Sequence, residues 1–389
     1  MHGYLDRNII EARLKELLKN YPIVALLGAR QVGKSTLAKD AIKDTTTNSK
    51  SVYLDLELPS DMNKLTDPEA FFSMNSDKLI CLDEIQYAPN LFPILRGVVD
   101  QRKKNGQFLI LGSASRNLIQ QSSETLAGRI AFLNITPFSI SEIDPKDFHQ
   151  HWLRGGYPLS FLSPSDSLSL DWRYNYIRTF LERDIPSLGF NIPSKNLDRL
   201  WQMLAHLQGQ TLNSSKLGES LGKTSHTIKN YIDILEQTFV VRTLSPYEGN
   251  IKKRLVKSPK VYIRDTGLLH ALLNIETMNE LFGHPIYGHS FESYVVENIC
   301  YNLPRWNHFF YRTSRGAELD LVLEKAGKKI AIEIKTSTAP KPSRGFWNAC
   351  EDIEADEKYI IAPVKESYPL KDGAKVINVS EFLNLMGVL

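Results

Sequence analysis

Cysteine is scarce. Cys81, Cys300 and Cys350 are the whole complement of a 389-residue chain and lie far apart, which argues against a disulfide framework or a zinc knuckle and accords with a reducing compartment. No apolar run approaches the roughly 20 residues that span a bilayer. The opening Met1-His2-Gly3-Tyr4-Leu5-Asp6-Arg7 carries no basic-then-apolar leader, so a cytoplasmic protein without membrane contact is expected. Net charge is nearly absent too: 47 Lys and Arg against 44 Asp and Glu leave +3, so attraction to nucleic acid would have to come from local clusters. Internal repeats and low-complexity tracts are also missing. What remains is a chain long enough for two or three domains, each with its own core.

Short apolar runs are plentiful. Ile23 to Leu27, Val52 to Leu56, Leu79 to Leu82, Phe108 to Leu111 and Ile130 to Ile135 read as buried strands separated by helices or loops, which predicts a mainly parallel sheet covered by helices. Directly after the first run stand Gly28, Ala29, Arg30, Gln31, Val32, Gly33, Lys34, Ser35 and Thr36. The two glycines let the backbone curl so that its N–H groups face phosphate oxygens, and the helix that starts near Lys34 adds its positive end. This is the Walker A pattern, in which Lys34 reaches the β- and γ-phosphates of ATP and Ser35 ligates Mg²⁺.

The third run ends in Asp83-Glu84. Asp83 would emerge at the carboxyl end of its strand as a Mg²⁺ ligand, and Glu84 would orient or deprotonate the attacking water. A further strand lies between the two motifs. That is the layout of the ATPase branch in which another strand separates Walker A from Walker B, and Phe108 to Leu111 would be the strand between. Ser113, just beyond it, is then either a γ-phosphate sensor or part of an ordinary turn.

The remainder is more helical. The stretch 137–194 suits a small lid and a connecting helix, interrupted by Gly155-Gly156-Tyr157-Pro158. Ser214 to Leu221, a Gly222-Lys223 turn, and a second helix capped by Thr224 and running to about Phe239 have helix-turn-helix spacing. A ribbon follows, Val240 to Leu244 and Val261 to Arg264, making the unit look like a winged helix. In a DNA-binding version Lys223, His226 and Lys229 would face the major groove and Lys252, Lys253 and Arg254 would touch phosphate. A winged helix used only for packing between domains is the alternative.

Near the carboxyl end, Phe291 to Glu297 reads as a helix. Glu318 to Glu324 and Ile330 to Lys335 read as alternating strands that put Glu333 and Lys335 on one face. An acid on a helix, Asp320 on a strand, then Glu333-x-Lys335 is an arrangement that resembles the PD-(D/E)XK nucleases. Asp320 and Glu333 are hard oxygen ligands for Mg²⁺, Lys335 orients or activates the attacking water, and Glu292 completes the metal shell, with Glu297 as the weaker candidate. Arg312 and Arg315 could receive the DNA backbone.

Gly28 to Thr36, Leu82 to Gln86, Leu111-Gly112-Ser113, Leu126 to Arg129, Gly155 to Pro158 and Leu181 to Ile185 together resemble the AAA-type ATPases. The narrower likeness is to a prokaryotic group in which such an ATPase is fused to a C-terminal domain of unassigned function. The resemblance implies that Arg129 is an arginine finger, acting in its own chain or on a neighbour, and that Pro158 lies against the adenine; a surface ion pair and a helix-starting proline are the alternatives.

The fold class expected is an α/β multidomain chain. It comprises a P-loop ATPase core over 1–136, a helical lid and connecting helix over 137–194, a winged helix over 195–274 and a nuclease-like domain over 275–389. The function expected is ATP hydrolysis that binds and remodels DNA, branched forms included, by a homo-oligomer such as a hexameric ring, with the C-terminal acids as candidates for cleaving the DNA. The alternative is a nucleotide-controlled switch for a protein partner, its nuclease-like domain inactive.

Overall fold

The computed structural model describes residues 5–43, 51–113, 125–249 and 255–388. The chain divides into two compact units, residues 1–137 with 237–239, and residues 138–236 with 240–389. Among the described residues no helix is long and apolar enough to cross a membrane.

All five strands expected in the first unit are present: β1 Ile23–Gly28, β2 Ser51–Asp55, β3 Leu79–Asp83, β4 Phe108–Ser113 and β5 Ile130–Asn134. Every residue of β1 is buried, as a central parallel strand with both faces covered must be. The sheet order is β2-β3-β4-β1-β5 and every pairing is parallel. β4 therefore separates β1 from β3, as the sequence predicts. The strand order reverses beside β1, so the loops leaving β1, β3 and β4 meet at one end of the sheet, where α/β folds bind ligands. The core beneath is built from Leu54, Phe72, Leu82, Phe92, Leu95 and Phe108, all essentially inaccessible to water.

In the second unit, the helices Phe148–Arg154 and Pro158–Phe161 flank the Gly155-Gly156 turn. Gly155 adopts φ +74°, and a Cβ there would lie 2.1 Å from the Asp265 carboxylate. Asp265 accepts from the Gly156 N–H at 2.8 Å and from the Leu268 N–H at 2.9 Å, so one buried carboxylate caps the helix Thr266–Leu272 and pins the turn. Burial pushes its pKa up to about 6 against those amides.

The first of the two helices expected here is Ser214–Leu221. The second is Ser225–Gln237, capped by Thr224, whose Oγ1 accepts from the Thr227 N–H at 3.1 Å. It ends two residues before the expected Phe239, whose φ is +62°. A two-stranded antiparallel ribbon follows, β6 Val241–Leu244 and β7 Lys260–Ile263. β7 begins one residue earlier than the apolar run suggests. Lys260 and Tyr262 share one face of this strand by its period of two.

The C-terminal sheet is mixed. β8 Asn307–Arg312, β9 Glu318–Lys325 and β10 Lys328–Ile334 run antiparallel, and β11 Glu357–Ile361 and β13 Lys375–Ile377 continue parallel to β10, with β12 Tyr368–Pro369 at the edge. The helix Tyr287–Asn302 packs near β10 and is buried on almost every side.

Candidate functional site

The loop after β1 is shaped by positive-φ residues, Gln31 at +63° and Gly33 at +94°. Gly28 has no space for a side chain: a Cβ there would lie 2.0 Å from the Ile135 carbonyl oxygen. Lys34 opens the helix Lys34–Lys43, and its ammonium folds back onto the loop, 3.1 Å from the Gly28 carbonyl and 2.8 Å from that of Ala29. The loop is anchored from behind by Arg7, whose guanidinium donates to the Val32 and Thr136 carbonyls at 3.0 Å each. Sequence reasoning missed Arg7, because nothing local distinguishes it from a surface arginine.

Asp83, at the end of β3, is buried. Its Oδ2 accepts from Ser35 Oγ at 2.6 Å and from the Tyr53 hydroxyl, and its Oδ1 accepts from the Glu84 N–H at 2.9 Å. Burial, then Asp83 itself, pushes the Tyr53 phenol far up, so Tyr53 remains a donor. Its place opposite Cys81 in the β2–β3 register brings it there, a pairing that no motif records. Glu84 adopts the left-handed conformation, φ 56° and ψ 45°, and its carboxylate is held by the Gln86 amide. Ser35 and Asp83 thus offer two adjacent oxygens at the edge of a phosphate-shaped loop. That donor set fits Mg²⁺, which takes one or two protein oxygens, phosphates and water.

Ala29 and Val32 are buried, Arg30 is half-buried and Thr36 exposed. Ser113 stands opposite Gly28 in the β4–β1 register. Arg129 is elsewhere. Its carbonyl accepts from the Ile23 N–H at 3.2 Å, at the amino end of β1, so the six-residue strand, roughly 17 Å at 3.3 Å per step, separates it from the phosphate loop. Its guanidinium makes a two-pronged pair with Asp100, at 2.5 and 2.9 Å. Its own chain's phosphate loop is therefore out of reach in this conformation. Pro158, in the second unit, is the first residue of the helix Pro158–Phe161.

Lys223, His226 and Lys229 are exposed around the start of the helix Ser225–Gln237. Lys252, Lys253 and Arg254 lie outside the described residues.

The C-terminal residues gather around a cleft of about 880 Å³ lined by Lys260, His289, Glu292, Arg312, Glu318, Asp320, Glu333 and Lys335 among others. Asp320 Oδ2 accepts from the Ile334 N–H at 2.9 Å, which fixes it beside the end of β10. Glu333 Oε1 pairs with Lys335 at 2.8 Å; the two side chains share a side, as the strand period predicts. Arg312 approaches Glu318 at 3.6 Å, and Arg315 is exposed on the following turn. Glu297 is not in the cleft: it bonds Arg242 at 2.6 and 3.1 Å and Arg264 at 2.5 and 2.6 Å.

Glu292 is reached by a residue that sequence reasoning passed over. Lys260, 2% exposed, places its ammonium 3.0 Å from Glu292, 3.3 Å from Glu318 and 3.4 Å from Asp320. Tyr262 donates to the same Glu292 oxygen at 2.7 Å, and His289 lies 3.3 Å from the other. Burial opposes charge on Lys260, but Glu292, Asp320 and Glu318 outweigh it and raise its pKa. Burial likewise opposes charge on Glu292, yet Lys260, His289 and Tyr262 bring its pKa down to about 2. Asp320 goes the other way, pushed up to about 6 by burial and by Glu292. Among the described residues no three His, Cys, Asp or Glu side chains come together so as to hold a metal ion. The expected Mg²⁺ set of Glu292, Asp320 and Glu333 therefore does not fit a divalent ion in this arrangement, because an ammonium already stands among the acids. No local signal marks Lys260, because a lysine that alternates with apolar residues reads as the solvent face of a strand, whereas all four residues of β7 are buried.

Residues 20–144 match the AAA domain family, residues 145–279 a domain of unknown function (DUF8612) and residues 287–382 another (DUF4143). An uncharacterized protein of Mycobacterium tuberculosis is 39% identical over 379 residues, 97% of this chain and 85% of the relative. An uncharacterized protein of Haemophilus influenzae is 24% identical over 93% of this chain and 94% of its own length. Among solved structures, a Walker-type ATPase of Pyrococcus abyssi superimposes with a TM-score of 0.50 at 15% identity, over 69% of this chain and 96% of its own, a likeness of fold. These matches identify the chain as a member of the mycobacterial protein's family, and with the Lys34–Ser35–Asp83 geometry they show a P-loop AAA-type ATPase domain followed by two domains of unknown function.

Proposed function

We propose that the chain hydrolyses ATP and uses the cycle to act on DNA. Residues 1–136 would be the ATPase core, 137–194 the lid, 195–274 a winged helix that meets DNA and 275–389 a nuclease-like domain. The observation that carries the reading is the 2.6 Å contact of Ser35 with Asp83 at one end of the sheet, with Lys34 and Glu84 beside it. ATP would enter the Gly28–Thr36 loop and release Lys34 from the Gly28 and Ala29 carbonyls to its β- and γ-phosphates. Ser35 and Asp83 would hold Mg²⁺, which supplies charge neutralisation on the phosphate oxygens. Glu84 would take the proton of the attacking water as the bond from the γ-phosphorus to the ADP oxygen breaks, leaving ADP and phosphate.

Ser113 would sense the γ-phosphate and Pro158 the adenine. Arg129, out of reach of its own loop, would serve the nucleotide of a neighbouring copy in a homo-oligomer, where such a residue is worth roughly 10³ to 10⁵ in rate. The exposed Lys223, His226 and Lys229 support DNA contact, with Lys252, Lys253 and Arg254 added on phosphate. Turnover measured with and without single-stranded, duplex and branched DNA, with particle mass in the same buffers, tests the reading. DNA stimulation supports it. Turnover that ignores every DNA, in a chain that keeps tightly bound ADP, favours a nucleotide-controlled switch for a protein partner. The ammonium of Lys260 among the C-terminal acids is the observation that favours this second reading, since it leaves the nuclease-like domain without a ready cleavage centre.

A further inference from the structure

The acids of the C-terminal cleft are neutralised from an unexpected direction. Lys260 does not belong to the mixed sheet that carries Asp320 and Glu333; it is the first residue of β7, in the ribbon that follows the helix-turn-helix. Its side chain is 2% exposed and its ammonium lies between 3.0 and 3.4 Å from three carboxylates supplied by the helix Tyr287–Asn302 and by β9. Tyr262, two residues along the same strand, bonds Glu292 as well, so one face of β7 is committed to this acid. β7 is itself held at its start: the Gly209 N–H donates to the Val261 carbonyl at 2.8 Å and the Leu212 N–H to that of Pro259 at 2.8 Å. A buried lysine fixed at both strand and tip is a permanent part of the cleft.

Beside it, Glu333 is 5% exposed and its Oε2, a buried acceptor, has no hydrogen-bond partner among the described residues. Its Oε1 is taken by Lys335. A divalent ion drawn to Glu333 and Asp320 would stand within a few ångströms of the Lys260 ammonium. At that range in a poorly solvated site like charges repel strongly, and Glu292 and Asp320 have already committed an oxygen each to the lysine.

We propose that Lys260 is the resident cation of this cleft, a side chain lent by the ribbon that stands where a divalent ion would have to sit, so that the cleft takes up Mn²⁺ or Mg²⁺ only when that ammonium is removed. The nuclease-like domain is thereby kept silent by a residue of the preceding domain.

The test is Mn²⁺ binding to the full chain, read by the electron paramagnetic resonance of free Mn²⁺. All proteins carry Asp83→Asn so that the nucleotide site contributes little. The parent background is expected to show no site that Asp320→Asn removes. Lys260→Met should gain one site per chain, at least tenfold tighter than any binding in the background, and Lys260→Met with Asp320→Asn should lose it. Where Lys260→Met is not folded by circular dichroism, Lys260→Gln, which keeps a donor toward Glu292, takes its place. A background protein that already binds Mn²⁺ through Asp320, or a folded Lys260 variant that gains no site, overturns the proposal. Neither outcome touches the ATPase reading, which is tested separately by turnover.

Discussion

Glu297→Gln is the sharpest probe of how the second unit is held together, because this carboxylate is bonded by Arg242 and Arg264 together. Its side chain is 14% exposed. Burial works against its charge, but the two guanidiniums bring its pKa from the usual 4.5 down to about 2. At 1.36 kcal/mol per pH unit this difference is worth about 3 kcal/mol at pH 7. Breaking a buried pair by removing one partner independently suggests roughly 3–5 kcal/mol. For a unit of this size 1 kcal/mol moves Tm by roughly 2–4 °C, so the substitution should lower Tm by about 6–12 °C at pH 7.

The pH dependence has a definite sign. A carboxylate whose folded pKa is depressed contributes fully above its unfolded value and loses that contribution as pH falls through its folded one, here between 4.5 and about 2. At pH 3 roughly 1.4 kcal/mol would remain, and the gap between parent and variant should narrow accordingly. Differential scanning calorimetry of the whole chain at pH 7 and pH 3 reads both quantities. A fall in Tm of under 2 °C at pH 7, or a gap that does not close on acidification, would refute the claim that Glu297 is a structural anion.

Gly28→Ala should leave the chain folded but weaken ATP binding at least tenfold, since the new Cβ would lie 2.0 Å from the Ile135 carbonyl and push the phosphate loop aside; isothermal calorimetry with a non-hydrolysable ATP analogue checks it. Lys34→Ala should abolish nucleotide binding, whereas Glu84→Gln should bind ATP and lose at least 100-fold in turnover. A Glu84→Gln protein that hydrolyses at the parent rate removes Glu84 from its role. Lys223→Glu with Lys229→Glu should weaken binding to every DNA sequence and flatten the dependence of log K on log salt by about one for each phosphate that is no longer neutralised. Unchanged affinity in a fluorescence anisotropy titration would assign these lysines to a merely solvated surface.

Much of the nucleotide site was legible in the sequence because it is written in short segments. Gly28 to Thr36 and Leu79 to Glu84 each join a strand to its loop, and the extra strand between them announced that β4 would lie between β1 and β3, as it does. Thr224 was readable as a cap for the same reason, its partner being three residues away. Arg7 and Tyr53 were not readable. Arg7 reaches Thr136 across 129 positions, and Tyr53 meets Asp83 only through the pairing of β2 with β3.

The C-terminal cleft divides in the same way. The alternation of β10 put Glu333 and Lys335 on one side, and the resemblance to the nucleases offered Glu292 as the helix's acid with Glu297 as the weaker candidate. Which of the two enters the cleft was settled by Arg242 and Arg264 claiming Glu297. Sequence alone determined the phosphate loop, the acids at the strand ends and the secondary structure that carries them, because backbone geometry and side-chain period act over a few residues. The end of the sheet on which Arg129 stands and the lysine that neutralises the acids were decided only by tertiary structure. Charge inside a folded protein is balanced by whatever lies nearest in space, and Lys260 comes to Glu292 and Asp320 from 32 and 60 positions away.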